Sequence, residues 1–255
     1  MIKELRGRSF LLSELIKRDF KKKYKRSYLG ALWSLISPLL SLFVMRLVFT
    51  RLFGRGIEHY TTYLFCGNLI FSYFSESTNQ GMSSILSNKG IFTKVSVPKH
   101  LFLISKNAQT FINFLLTLSV FFLFCIIDGI TFGWHFFLLI YPILCLAVFN
   151  IGLGAVLASM FVFFRDIQYL WTVFLQLLMY VSAIFYSIDG YPLWARSLFN
   201  LNPVYLFISY FRKVVIDGLV PDGEHHLLML AFTLSAVALG AFVYKKSERK
   251  FLYYV

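Results

Sequence analysis

Apolar residues gather in six long runs along the chain, at 29–53, 60–78, 108–127, 136–164, 167–188 and 227–244, separated by polar or charged stretches. A helix needs about 20 mostly apolar residues to cross the hydrocarbon core of a bilayer, and each run approaches or exceeds that length. The pattern predicts an all-α integral membrane protein with six transmembrane helices and both ends of the chain on one side. Arg46 interrupts the first run, Ser105-Lys106-Asn107 leads into the third, and the fourth is long enough to tilt or to kink at Pro142.

Outside the runs the periodicity changes. Leu12, Ile16, Phe20, Tyr24 and Tyr28 recur every fourth residue, with Leu15 beside them, while Lys17, Arg18, Lys21, Lys22, Lys25 and Arg26 fill the other faces. Such a helix lies in the headgroup layer with its cations at anionic phosphates. It is either a generic cationic anchor or a platform that gathers a phosphate-bearing lipid, and the residues leave both open. The loop 84–99 carries two short amphipathic pieces around Asn88-Lys89-Gly90, the second ended by Pro98. Its Ile91, Phe92 and Val95 either dock into a groove of a partner protein or rest on the bilayer. The tight turn Phe164-Arg165-Asp166-Ile167-Gln168 is a solvated turn, a brace between two helices or a partner contact. Residues 189–226 are too broken to span. Asn202-Pro203 supplies a cap and a first-turn proline, and Asp217-Gly218 a stop, so 189–218 reads as one or two short helices dipping into the outer leaflet. They form an external lid or a plain interfacial pair.

Composition and charge sharpen this picture. Of the 255 residues 58% are hydrophobic, 19% aromatic and only 15% charged, against roughly a quarter charged in a soluble domain. A soluble enzyme is thereby excluded. The chain holds 25 Lys and Arg, of which nineteen flank the runs on the side of the two chain ends, ten of them in residues 1–28. Positive charge concentrates on the cytoplasmic side, which places both ends in the cytoplasm. The basic excess therefore belongs to membrane-flanking loops, and no nucleic acid is expected as a partner. The chain reads as one domain, 1–255, with a cytoplasmic helix at 1–28, a membrane core at 29–244 and a cytoplasmic tail at 245–255. Its first 28 residues are too charged for a cleaved leader.

Chemistry-bearing residues are sparse. Arg46 lies towards the outer end of the first run, where it either snorkels to the headgroups or serves function. Glu76 falls near the cytoplasmic end of the second run and faces a polar cavity or a neighbouring helix. Cys66, Cys125 and Cys145 sit in apolar runs with no metal-site spacing, so no metal and no disulfide is expected. Aromatics cluster among polar residues in Phe71-Ser72-Tyr73-Phe74-Ser75-Glu76 and Tyr180-Val181-Ser182-Ala183-Ile184-Phe185-Tyr186. Most such side chains pack helices or face lipid, but aromatic faces also stack on sugar rings. No pair of acids or histidines has catalytic spacing, no GxxxxGK[ST] loop is present, and no catalytic residue is assigned.

Four stretches, taken in order, carry a resemblance. They are Leu15-Ile16-Lys17-Arg18-Asp19-Phe20-Lys21 through Tyr24-Lys25-Arg26-Ser27-Tyr28-Leu29-Gly30 with Leu32-Trp33-Ser34 and Ser37-Pro38-Leu39; the loop from Asn88 to Pro98; Phe164-Arg165-Asp166-Ile167 with Leu175-Gln176; and Asn202-Pro203 with Tyr210-Phe211-Arg212. The chain resembles the transmembrane subunits of ABC-2-type polysaccharide exporters, which serve O antigen, capsule, teichoic acid and rhamnose-containing wall polysaccharides. The resemblance implies a homodimer with two copies of a separate ATPase, which binds the ATP and magnesium. It implies export of a glycan on undecaprenyl diphosphate across the bacterial cytoplasmic membrane. Asn88, Lys89, Gly90, Ile91, Phe92 and Lys94, with Arg165 and Asp166, would meet the ATPase. Arg18, Lys21, Lys25 and Arg26 would collect the lipid diphosphate. Trp33, Tyr73, Phe74, Tyr180, Phe185 and Tyr186 are candidates for the glycan passage, and the chain itself binds no cofactor. The rival readings are an ABC-2 permease for a drug or another lipid, a membrane enzyme acting on polyprenyl lipids, and an ion-coupled transporter. The enzyme would need converging carboxylates or histidines, and the transporter inverted repeats; neither pattern occurs.

Overall fold

The computed structural model describes residues 2–24, 30–53, 57–92 and 97–254, with side chains for 10–21, 30, 32–50, 57–91, 97–251 and 254. Among these residues the fold is all-helical: α1 (Ile2–Tyr24), α2 (Trp33–Phe53), α3 (Tyr60–Ser83), α4 (Lys89–Phe92), α5 (His100–Ile127), α6 (Ile140–Phe163), α7 (Ile167–Val181), α8 (Leu193–Phe199), α9 (Pro203–Val215), α10 (Gly223–Glu248) and α11 (Phe251–Tyr254). Four segments are long and apolar enough to cross a membrane: Trp33–Thr50, His100–Ile127, Trp134–Phe163 and Gly223–Glu248.

The third run grows at its start. Its polar lead, Ser105-Lys106-Asn107, is already helical, and α5 begins at His100. In the fourth run Pro142 sits three residues into α6, after a 3₁₀ turn at Trp134–Leu139. A proline in a first turn lacks only an N–H that has no partner there anyway, so it starts the α-helix rather than kinking it.

The second run, α3, is 24 residues long, about 36 Å at 1.5 Å per residue. It is more polar than the four apolar spans, and packing against α2, α5, α6, α7 and α9 encloses it. Its polar residues meet protein instead of lipid. Ser77 Oγ donates to Asn107 Oδ1 at 2.6 Å, and the Trp171 indole donates to Thr78 Oγ1 at 3.3 Å. At its other end His59 adopts a left-handed φ of 49°. The Asp128 carboxylate ties that turn to the end of α5, lying 3.2 Å from His59 Nδ1 and accepting from Thr62 Oγ1.

The fifth run does not form one helix to residue 188 as its apolar length suggests. Helix α7 ends at Val181 after 15 residues, and Ala183 takes φ 50°. The carbonyls of Ala183 and Ile184 turn instead to a guanidinium from α9, so 182–188 is a buried irregular segment.

Helices α6 and α10 approach so closely that a Cβ built on Gly240 would overlap the Gly152 carbonyl, and one on Gly152 would lie 2.6 Å from the Ala236 backbone. Asn202 caps α9 as the sequence implies, its Oδ1 accepting from Val204 N at 3.0 Å and Tyr205 N at 3.4 Å, with Pro203 at the first helical position. Gly218 (φ 65°) follows the end of that helix.

Candidate functional site

Three helices each bring a polar stripe to one cavity of about 610 Å³. Ser34, Ser37 and Ser41 recur on α2 at spacings of three and four, Asn68, Ser72, Ser75 and Glu76 on α3, and Thr110, Asn113 and Thr117 on α5. Residues three or four apart share a helix face, so each stripe points one way. Trp33, Phe65, Phe71, Tyr73 and Phe114 supply aromatic walls, and Met179 of α7 closes one side. Tyr73 stacks on Phe114 with ring centroids 4.5 Å apart. The chamber thus combines hydroxyls with flat apolar surfaces and opens outwards beside Trp33, Ser37, Ser41 and Ser72, which are exposed. Away from it, α2 exposes Leu40, Phe43, Val44 and Leu47, and α7 exposes Leu170, Val173, Phe174 and Leu177.

The aromatic candidates divide. Trp33 and Tyr73 line this chamber. Phe74 is buried against Phe149 and Trp171. Phe185 is buried and stacks on Phe49 at 4.3 Å. Tyr180 is exposed on α7, and Tyr186 lines a second cavity at the opposite end from α1. Of the intramembrane charges, Glu76 lines the chamber and Arg46 lies exposed on α2.

At the other end of the bundle α1 docks on α5 and on the segment before α4. The docking face is Leu11, Leu15 and Asp19, with Leu15 packed among Ile85, Leu101 and Phe102. Leu12, Ile16 and Phe20, the apolar face expected to lie down on the bilayer, are half-buried beside it. Asp19 is buried, and its carboxylate accepts from Arg18 Nη2 at 2.7 Å and Ser105 Oγ at 3.4 Å, with Lys106 Nζ at 3.7 Å. Arg18 Nη2 also donates to Asn88 Oδ1 at 2.6 Å, and Asn88 Nδ2 donates to the Ser84 carbonyl at 2.8 Å. Among the coupling candidates, then, Asn88 is buried in a brace, whereas Lys89, Gly90, Arg165 and Asp166 are exposed and Ile91 is half-buried. The Arg165 guanidinium lies over Phe161, 5.6 Å from its centroid, and donates to the Tyr254 carbonyl at 3.5 Å. Lys21 is exposed. The side chains of Lys25, Arg26, Phe92 and Lys94 lie outside the described residues. The same end carries Lys99, whose ammonium donates to the Glu248 carbonyl at 2.8 Å.

Arg212 is a group to which the sequence alone assigns no role. It is buried; Nη1 donates to the Ala183 carbonyl and Nη2 to that of Ile184, both at 2.9 Å. Nε and Nη2 reach the Tyr63 carbonyl at 3.3 Å, and the guanidinium lies 3.3 Å from the Tyr63 ring centroid. No group of three or more His, Cys, Asp or Glu able to hold a metal occurs among the described residues. The three cysteines are buried and free.

Comparison with known sequences decides the family. The ABC-2 type transporter pattern matches residues 11–216. The chain belongs to the ABC-2 type transporter family. It is 26% identical to the O-antigen export system permease protein RfbA of Myxococcus xanthus, over 98% of this chain and 97% of that protein. It is 25% identical to RfbA of Klebsiella pneumoniae, over 94% of this chain and 93% of that one. The polysialic acid transport protein KpsM of Escherichia coli is 22% identical, with 93% of each chain covered.

Proposed function

We propose that this ABC-2 chain is the permease subunit of an ATP-driven exporter that moves a polysaccharide linked to undecaprenyl diphosphate across the bacterial cytoplasmic membrane. The observation that carries the reading is the chamber of about 610 Å³ with its serine and threonine stripes and aromatic walls. Hydroxyl-bearing stripes exchange hydrogen bonds with a sliding glycan, and aromatic faces meet the apolar faces of its rings. The relatives named for O-antigen and polysialic acid transport point the same way.

In this reading the six runs span the membrane, α3 and α7 included, with both ends of the chain in the cytoplasm. Helix α3 tolerates its polar residues because protein surrounds it, and α7 its short length because 182–188 continues into the outer leaflet under protein cover. The exposed apolar faces of α2 and α7 meet lipid and a second copy of the chain, and the passage opens between the two copies. Two ATPase subunits bind ATP and magnesium and grip Lys89, Gly90, Ile91, Phe92 and Lys94 together with Arg165 and Asp166. Their closure moves α4, and through Asn88 and Arg18 it moves α1. Cations of α1 and the segment after it (Arg18, Lys21, Lys25 and Arg26) gather the diphosphate headgroup.

Affinity purification of the full chain from its host in mild detergent tests the reading. A stoichiometric P-loop ATPase should co-purify, and deletion of either partner should trap lipid-linked glycan in the cytoplasmic leaflet. An active chain without an ATPase, or a deletion strain without trapped glycan, discards it.

A further inference from the structure

The second cavity, of about 970 Å³, lies at the end of the bundle opposite α1, between the start of α3, the irregular segment after α7 and the helix α9. Nothing in the reading above uses it. Its walls combine three tyrosines, Tyr63, Tyr186 and Tyr205, with three carboxylates, Glu58, Asp189 and Asp217. Both cations that line it already have partners. Arg212 is held by the carbonyls of Tyr63, Ala183 and Ile184, and Lys213 Nζ lies 2.8 Å from the Asp222 carboxylate. Lys213 and burial act in opposite senses on two of the acids here. Lys213 holds the exposed Asp222 carboxyl below its ordinary range. Burial and the neighbouring Asp189 carboxylate hold that of Asp217 above it.

We infer that this cavity is a saccharide-docking site on the outer face, selective for neutral or amino sugars and closed to polyanionic glycans. The inference rests on the exporter reading for its orientation and its ligand class. The rings of Tyr186 and Tyr205 offer flat faces to the C–H surfaces of a pyranose, whereas one face of Tyr63 is already covered by the Arg212 guanidinium. Carboxylates accept from its hydroxyls or from an ammonium group, and they repel a sugar carboxylate. Like-charge juxtaposition is how a site rejects a rival of the same shape. Among the described residues Glu58, Asp189 and Asp217, with Asp222 beside Lys213, outnumber the two cations Arg212 and Lys213, so the site is anionic on balance even with the Arg212 charge counted. A glycan leaving the chamber would meet this site next, so the charge of its sugars becomes a selectivity step at the exit. Tyr63 and Tyr186 are held for the purpose: Tyr63 Oη donates to the Tyr186 carbonyl at 2.7 Å, and Tyr186 Oη to that of Tyr180 at 3.0 Å.

The full chain in lipid nanodiscs is titrated with three hexasaccharides, a mannose hexamer, a glucosamine hexamer and an α2,8-linked sialic acid hexamer. Saturation-transfer NMR from the tyrosine rings to the sugar protons is the readout. The glucosamine and mannose hexamers should bind, the sialic acid hexamer at least about tenfold more weakly, a difference that two or three repulsive carboxylates supply. Tyr205→Ala should abolish transfer for all three. Asp189→Asn with Asp217→Asn should weaken the glucosamine hexamer severalfold and spare the mannose hexamer, and Asp189→Lys with Asp217→Lys should admit the sialic acid hexamer. The conservative asparagine pair keeps the fold, as a monodisperse elution peak checks. Equal or preferred binding of the sialic acid hexamer, or transfer indifferent to these substitutions, overturns the inference. The exporter reading fails by a separate measurement, the absence of trapped lipid-linked glycan on deletion.

Discussion

Arg18 and Asn88 meet in a hydrogen bond of 2.6 Å across seventy positions of sequence, and that contact joins α1 to the segment that leads into α4. The same guanidinium holds the buried Asp19 carboxylate, which faces Ser105 and Lys106 at the start of α5. A push on α4 therefore reaches α1 and α5 together, through polar contacts that break or hold as discrete units instead of deforming gradually.

Replacing either partner should separate ATP hydrolysis from transport. Arg18→Ala and, independently, Asn88→Ala should leave the ATPase bound and hydrolysis within about twofold, while export falls roughly tenfold. The stability cost should be on the order of 1–3 kcal/mol for Arg18→Ala, which leaves the buried Asp19 carboxylate to Ser105 and Lys106, and about 1 kcal/mol for Asn88→Ala. Parallel assays of phosphate release and surface glycan check this. Hydrolysis and export falling in proportion would show that the contact only holds the fold.

Arg212 should be far costlier to lose. Arg212→Met strands the carbonyls of Tyr63, Ala183 and Ile184 in a buried setting, where each unsatisfied group costs on the order of 1–3 kcal/mol. Arg212→Lys keeps the charge but lacks the planar fork, and it should recover less than half of the loss. The three buried, free cysteines provide the readout, because a thiol-reactive dye reports them only as the bundle opens on heating. A transition for Arg212→Met within a degree or two of the unaltered chain would show that water or a rearranged backbone satisfies those carbonyls.

These two arginines mark where the sequence is legible and where it is not. The apolar runs disclose α2, α5, α6 and α10 because lipid-facing and core-facing helices are both greasy, and run length alone finds them. Asn202-Pro203 discloses the start of α9 because its cap is local chemistry. Charge counting treats Arg212 and Lys213 alike as outer-side cations, although one is buried and one reaches Asp222, since only tertiary packing separates them. The end of α7 is hidden for the same reason: an apolar stretch does not say that carbonyls 183 and 184 will turn to α9. The chamber lies between these cases. Its serine and threonine stripes at spacings of three and four are legible in the sequence, whereas the aromatic clusters alone do not separate Trp33 and Tyr73, which line it, from Phe74 and Phe185, which are buried in packing.

The stripes should be sensitive to bulk. Ser37→Leu and Ser72→Leu each push a branched apolar side chain into the chamber from a different helix, and each should lower export about tenfold or more while leaving assembly with the ATPase unchanged. Leu234→Ala, on the exposed face of α10, should alter export less than twofold. Surface glycan measured against the amount of assembled complex distinguishes the positions. An Ser37→Leu chain that exports normally would remove the chamber from the passage.

The basic residues of α1 and the segment after it should act on substrate capture alone. Lys21→Ala combined with Lys25→Ala and Arg26→Ala should reduce export severalfold with the complex intact, and raised ionic strength should reproduce part of the loss in the unaltered chain, because exposed charges are screened within about 8–10 Å. Unchanged export in the triple variant would sink the assignment of these cations to the lipid diphosphate.

The approach of α6 and α10 leaves room for no side chain at two glycines, and this gives a stability test independent of transport. In Gly240→Ala the new methyl meets the Gly152 carbonyl, and in Gly152→Ala it meets the Ala236 backbone at 2.6 Å. Backbone cannot swing away as a flexible side chain can, so the two helices must separate by several tenths of an ångström along a shared seam. Overpacking of that kind costs about 1–3 kcal/mol, more than the ~1 kcal/mol that alanine gains over glycine in a helix, so the net change should be a loss. Gly90→Ala is the contrast, because a Cβ there meets nothing within 4 Å and only the propensity gain remains. Thermal unfolding followed with the same thiol dye should lower the transition for both α6 and α10 variants and leave Gly90→Ala unchanged or slightly raised. A Gly240→Ala protein as stable as the unaltered chain would mean that the seam is wider in the bilayer than the helix packing described here.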